Sequence, residues 1–198
     1  EAGVNTLIEA LEVRFLANCD DNLYFALLTD FSDAVCEHRA SDDALFQSAR
    51  LGIEALNKKY PSPQGTRFFL FQRPRRHNAQ EQVWMGYERK RGKLGDLNAF
   101  LRGDPTTASG PRFSHIVGDT SVLTGVRYVI SLDTDTQLHR DTARECVGAL
   151  AHPLNRAVFD PESNCIRAGY GILQPRVSSS LGGANRSPRQ GFLIHGVA

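Results

Sequence analysis

Cysteine is scarce in this chain and never clustered. The four, Cys19, Cys36, Cys146 and Cys165, form no C-x-x-C and stand near no pair of histidines at zinc spacing. That excludes a zinc ribbon and a thioredoxin-type redox centre, and the four read as free thiols of a reducing compartment. The histidines, His38, His77, His115, His139, His152 and His195, also lack ligand spacing. No run approaches the ~18 apolar residues that cross a bilayer. No charge bias exists either: 23 Lys and Arg stand against 22 Asp and Glu, a net charge of +1. General attraction to nucleic acid or to an acidic membrane surface is therefore not indicated. There is no G-x-x-x-x-G-K-[ST] phosphate loop and no G-x-S-x-G nucleophile elbow. The only Met is Met85, and Glu1-Ala2-Gly3 opens no leader pattern. The chain is expected to be a piece of a longer polypeptide, cut at both ends.

What is present is ordinary for a globular protein. Hydrophobic residues make up 41% and charged residues 23% of 198 residues, enough for one large core. Thr6-Leu7-Ile8-Glu9 has the form of a capping box, and Leu7, Leu11 and Phe15 follow as one apolar face, so a helix is predicted to start there. Residues 23–28 (LYFALL) are predicted as a strand that stops just before Asp30. Ser41 opens a second helix with Leu45, Ala49, Ile53 and Leu56 on one face, and Tyr60-Pro61 ends it. Residues 67–71 (RFFLF) give a second strand. Residues 73–82 are basic and polar with Pro74, and read as a loop.

A third helix is predicted over 88–103, with Leu94, Leu97 and Leu101 on one face and Gly103 as its stop. Short strands are predicted at 115–117, from Tyr128, and at 169–174. A helix is expected over about 141–149, and 153–164 reads as irregular. Strands alternating with helices imply an α/β fold, a mostly parallel sheet flanked by helices. The Ser/Gly/Arg-rich stretch 181–198 is expected to be a poorly ordered or divergent tail.

The stretch 128–138 (YVISLDTDTQL) carries the chemistry. A short apolar strand ends in two aspartates, Asp133 and Asp135. In open α/β sheets ligands sit beyond the carboxyl ends of strands. Two carboxylates there suit a hard divalent cation that arrives with a phosphate-bearing ligand, and they equally suit a turn before the next helix. Two reactions share this spelling. In one, the aspartates hold Mg²⁺ or Mn²⁺ against a departing diphosphate. In the other, Asp133 is the nucleophile of a haloacid-dehalogenase-like phosphatase. The phosphatase also needs a lysine and a pair of acids downstream. After Asp135 there is no lysine, and Asp141, Glu145, Asp160 and Glu162 are scattered. The cations between Arg73 and Lys93 are either a solvated face or partners for phosphate oxygens.

Five segments combine into a resemblance: 25–34 (FALLTDFSDA), 68–76 (FFLFQRPRR), 83–102 (VWMGYERKRGKLGDLNAFLR), 128–138 and 152–177 (HPLNRAVFDPESNCIRAGYGILQPRV). In that order they resemble the glycosyltransferase domain of bacterial cyclic β-1,2-glucan synthases, over about residues 5–180. The resemblance implies the donor-binding half of a GT-A-like (Rossmann-like) domain, with 1–180 as that half. It implies transfer of glucose from UDP-glucose to a growing β-1,2-glucan by metal-dependent inversion. It further implies Mg²⁺ or Mn²⁺ as cofactor, a glucan acceptor, and the remainder of a membrane-bound synthase as partner, with no nucleic acid. The parent would lie on the cytoplasmic face of the inner membrane, this piece being soluble. By position, Asp135 and Asp133 match the metal-binding D-x-D, Asp133 also reaching the ribose. Asp30 matches the aspartate that contacts the uridine. Lys93 matches the donor-binding lysine, with Asn98 shaping that wall, and Gln174 matches a glutamine on the strand after the D-x-D. The acidic pair and the Q-x-x-R-W motif of the related transferases are not present, so the general base is expected downstream. A truncated, inactive piece is the remaining alternative.

Overall fold

The computed structural model describes residues 2–175 and the backbone of 193–196. The chain is mixed α/β and divides into two compact units, residues 1–15 with 19–125, and residues 16–18 with 126–198. Among the described residues no helix is long and apolar enough to cross a membrane, and all four cysteines are free thiols.

The first unit is built on α1 (Ala2–Ala17), β1 (Phe25–Asp30), α2 (Asp42–Lys59) and β2 (Phe68–Arg73). α2 is the crossover that brings β2 back parallel to β1, in a register running from Phe25 opposite Phe68 to Asp30 opposite Arg73. Every residue of β2 is buried, so its apolar run must be served on both faces. On one face Phe68 and Leu70 pack with Leu11 and Phe15 of α1 and with Ala49, Ile53 and Leu56 of α2. On the other, Phe71 meets Phe100 and Phe113 at ring-centre distances of 5.6 and 5.1 Å. A buried Phe contributes roughly 1.5–3 kcal/mol from area alone, so this strand is the anchor of the unit.

The remaining parts of this unit are short. β3 (Arg76–Asn78) and β4 (Val83–Met85) form a hairpin, and α3 (Arg89–Leu101) follows. β5 (Thr106–Thr107) and β6 (Gly110–Pro111) make a second hairpin. β7 (His115–Val117) adds antiparallel to β2, giving the strand order β1-β2-β7.

In the second unit, β8 (Tyr128–Ser131) leads through a loop to α4 (Thr142–Ala151). β9 (Val158–Asp160) and β10 (Cys165–Ala168) form a hairpin, followed by β11 (Ile172–Leu173) and β12 (Leu193–Gly196). The sheet order is β11-β12-β8, with both ladders antiparallel.

Several expectations shift. α1 begins at Ala2, so Thr6 lies inside the helix rather than at its cap, and Val4 and Ile8 join Leu11 and Phe15 in packing on the core. Residues 73–82 are not a loop: they end β2 and supply β3. Residues 153–164 include β9. Among the described strands only the β1–β2 ladder is parallel. A crossover helix separates that pair, whereas the hairpins reverse through short turns, which only antiparallel pairing allows. Leu193–Gly196, within the stretch expected to be a poorly ordered tail, forms β12. The rest of that stretch lies outside the described residues.

Candidate functional site

Asp30 is the last residue of β1, and its register partner on β2 is Arg73. Adjacent residues on paired strands put their side chains on the same face. Arg73 therefore reaches the Asp30 carboxylate with two bonds, Nε to Oδ1 at 2.7 Å and Nη2 to Oδ2 at 3.1 Å. The same guanidinium donates to the Tyr87 and Arg89 carbonyls, each at 3.1 Å, and to Asp96 Oδ2 at 2.9 Å. Arg73 is only 3% exposed. Burial acts to lower its pKa, but the hydrogen bonds it donates to Asp30 and Asp96 outweigh this and hold it above the ordinary value. It is a fixed charge tying three elements together.

Those bonds secure an unusual start to α3. Glu88 and Arg89 both have positive φ, at 55° and 47°, in a region that costs non-glycine residues of order 1 kcal/mol each. Arg73 bonds to the carbonyls on either side of Glu88. Gly92 is the other requirement, since a Cβ there would stand 2.1 Å from the Tyr87 carbonyl oxygen. The first turn of α3 has no side-chain cap and no acidic residue; it carries Arg89, Lys90 and Arg91 instead. Cations at the positive end of a helix dipole are the reverse of the stabilising arrangement. Asp33 and the N-cap residue Glu88 offset part of that charge, lying 2.9 Å from Arg89 and 3.5 Å from Arg91.

Lys93 lies one turn on, with its Nζ 3.2 Å from Asp30 Oδ2. Asp30, Phe31, Asp33, Gly86, Arg89 and Lys93 are among the walls of a cavity of about 390 Å³. Gly86 is needed because a Cβ there would sit 2.8 Å from either Asp30 oxygen. Asp30 and Lys93, predicted separately, are therefore neighbours. Asn98 is half-buried on the same helix.

Arg75 was among the cations expected to be solvated or free for phosphate, and it too is turned inward. It is 3% exposed and grips the buried Asp42 with Nη1 and with Nη2, the latter at 3.0 Å. It also donates to the Ser32 and Glu37 carbonyls at 2.7 and 3.0 Å. Hydrogen bonding from Arg75 holds the Asp42 carboxyl below its usual range, against the opposing effect of burial. Neither Arg73 nor Arg75 is a phosphate ligand. Arg89, Lys90 and Arg91, at the start of α3, are the exposed ones.

In the second unit, Asp133 and Asp135 follow β8 in a turn in which the Thr136 amide donates to the Asp133 carbonyl at 3.1 Å. Asp133 is half-buried and Asp135 exposed, while Thr136 and Leu138 anchor the loop in the interior. The loop is held further on by Asn18, which the sequence does not single out. Its amide nitrogen donates to the His139 carbonyl at 3.1 Å, and its oxygen accepts from the Ala143 amide at 3.0 Å. Asn18 thereby caps the first turn of α4, but its partners are remote in sequence and leave no local signal. Gln174 lies beyond β11 and is exposed. Among the described residues no three His, Cys, Asp or Glu side chains gather as a metal cluster. Two carboxylates at an exposed turn fit a Mg²⁺-like ion, which keeps several waters and takes its other oxygens from a bound phosphate.

No family model matches the sequence. Over 178 residues, 90% of its length, the chain is 45% identical to cyclic β-(1,2)-glucan synthase NdvB of Rhizobium meliloti (strain 1021). It spans 6% of that protein's length. The family suggested by the five segments and the relative found by comparison agree: this chain is related to one segment of a cyclic β-(1,2)-glucan synthase.

Proposed function

We propose that the chain supplies the donor-binding half of a GT-A-like glycosyltransferase domain, which moves glucose from UDP-glucose to a growing β-1,2-glucan with inversion. The observation that carries this reading is the 45% identity to the synthase across 90% of the chain. The juxtaposition of Asp30 and Lys93 beneath the cationic start of α3 supports it, because a nucleoside diphosphate needs both an acceptor for its base and cations for its phosphates.

In this reading Asp30, held in place by Arg73, accepts a hydrogen bond from the uridine. Lys93 turns from Asp30 toward the diphosphate, and Asn98 shapes the wall behind it. Asp133 and Asp135 are the residues that would hold Mg²⁺ or Mn²⁺, Asp133 also serving the ribose, and Gln174 corresponds to the glutamine on the strand after the D-x-D. When bound, the metal supplies positive charge against the departing UDP. An acceptor hydroxyl attacks the anomeric carbon of the α-linked donor opposite UDP, the bond to UDP breaks, and a β linkage results. The base that takes the hydroxyl proton belongs to the remainder of the synthase, a membrane-bound protein whose transferase domain faces the cytoplasm.

Calorimetric titration with UDP, with and without Mn²⁺, tests the donor half directly. Binding is expected to require the metal, and Asp135→Asn is expected to abolish that dependence. Equal affinity with and without Mn²⁺ would remove the aspartates from the proposal.

A further inference from the structure

The start of α3 borders two cavities. Asp30 and Lys93 line the smaller. The larger, about 470 Å³, is lined by four arginines, Arg73, Arg76, Arg91 and Arg112, and by two acids, Glu88 and Asp96.

Two of these arginines are engaged. Arg73 and Arg112 each donate to one oxygen of Asp96, both at 2.9 Å. Each also has a second carboxylate outside the lining, Asp30 for Arg73 and Asp104 for Arg112. The other two are differently placed. Arg76 donates from Nη1 to the Thr107 hydroxyl at 2.8 Å and from Nη2 to the Pro111 carbonyl at 3.0 Å. Both acceptors are neutral, so they orient the guanidinium without cancelling its charge. A guanidinium carries five N–H donors in a fixed fork, and these two bonds leave others for a guest. The Arg91 side chain is 85% exposed and stands 3.5 Å from Glu88. Water screens a pair that open and leaves Arg91 able to turn to a stronger partner.

Arg76 is fixed before any guest arrives. It is the first residue of β3, and the two groups that hold it belong to the β5–β6 hairpin. A guanidinium held in one orientation suits the paired oxygens of a phosphate, which it can meet through two N–H bonds at once. Arg91 adds a second cation from α3. The cavity exceeds what a bare phosphate fills and lies within the roughly 300–1,000 Å³ usual for small-ligand sites. Its remaining lining includes Tyr87, 51% exposed, and Gly95, with nothing within 4 Å of where a Cβ would stand.

We propose that this cavity binds a phosphate group, gripped by Arg76 and Arg91, at a site separate from the Asp30–Lys93 cavity assigned to the sugar nucleotide. Arg73 stays with its carboxylates and forms the wall between the two. The chemistry is that of free phosphate or of a small phosphate monoester, whose organic part would lie along the Tyr87 ring.

The test is an amide-resolved NMR titration of the ¹⁵N-labelled chain with inorganic phosphate, against chloride at equal ionic strength. Phosphate is expected to shift the Arg76, Arg91 and Thr107 amides, and chloride to leave them in place. Arg76→Gln and Arg91→Gln are each expected to weaken phosphate binding by at least about tenfold. Lys58→Gln, which removes an exposed charge from α2, is expected to leave it unchanged. Arg91→Gln keeps the test decisive if Arg76→Gln fails to fold, because the Arg91 side chain stands in solvent. Phenyl phosphate separates the two sources. Tighter binding than inorganic phosphate, lost in Tyr87→Ala, assigns a monoester; equal binding assigns free phosphate. No shift with phosphate, equal shifts with chloride, or unaltered binding in Arg91→Gln would each overturn the site. So would displacement of phosphate by UDP, which would place it in the donor cavity. Phosphate binding in a chain that does not bind UDP overturns the donor reading alone, and UDP binding without phosphate binding overturns this site alone.

Discussion

Asp30 and Arg73 face each other as register partners at the ends of two parallel strands, and the guanidinium closes on the carboxylate through two nitrogens, at 2.7 and 3.1 Å. The same arginine bonds both carbonyls that flank Glu88. One side chain thus sets the orientation of the Asp30 carboxylate and the path of the chain into α3.

Arg73→Ala is expected to cost about 1.5–3 kcal/mol, because the Tyr87 and Arg89 carbonyls and the Asp30 and Asp96 carboxylates lose charged hydrogen bonds, while Asp30 keeps Lys93 and Asp96 keeps Arg112. Urea denaturation measures the loss. Arg73→Lys is expected to recover only part of it, since an ammonium cannot span the acceptors that the planar fork reaches.

Lys93→Met separates binding from stability. Lys93 is partly exposed, so its pairing with Asp30 is worth about 1 kcal/mol or less. Unfolding is expected to change little, whereas UDP affinity falls by at least about tenfold. A loss of stability without a loss of UDP affinity in calorimetry would make Lys93 a structural residue.

Two glycines of α3 are expected to behave oppositely. At Gly92 an added Cβ meets the Tyr87 carbonyl oxygen at 2.1 Å; backbone cannot rotate aside, so Gly92→Ala is expected to cost about 1–3 kcal/mol. At Gly95 nothing lies within 4 Å, and Gly95→Ala is expected to stabilise by roughly 0.5–1 kcal/mol through helix propensity. Thermal melts of the two variants give the signs.

Acid should weaken the fold through Asp42. Its folded pKa lies below the unfolded one, with hydrogen bonding from Arg75 as the main cause. The stabilisation is complete above the unfolded value of about 3.9 and is lost as pH falls through the folded one. Asp42→Asn is expected to be less stable at neutral pH and to show a flatter decline below about pH 4. Denaturation midpoints across pH 2–7 supply the comparison, with the range chosen to bracket about pH 4.

Where neighbours in sequence decide structure, the sequence was readable. Ser41 before α2, Tyr60-Pro61 after it, and the run of Phe and Leu in β2 all announced themselves. So did Asp133 and Asp135 at the end of β8. Arg73 and Arg75 did not. Their charge reads as solvated, and they are buried because Asp30, Asp42 and Asp96 wait for them from distant positions. The proximity of Asp30 and Lys93 is hidden for the same reason: it depends on how α3 meets the end of β1. β12 escaped notice because four residues are too few to display a period.

The pairing of β8 with β12 has a bearing on the order in which the molecule is made. Tyr128–Ser131 finds its ladder partner only at Leu193–Gly196. During synthesis, β1, α2 and β2 emerge with their partners already available. The strand leading to Asp133 must wait, unpaired along this edge, until the residues at 193–196 have left the ribosome. Loop closure over that interval is the slow kind of contact. The aspartates are therefore expected to acquire their final setting late, after the unit bearing Asp30 and Lys93 has taken shape.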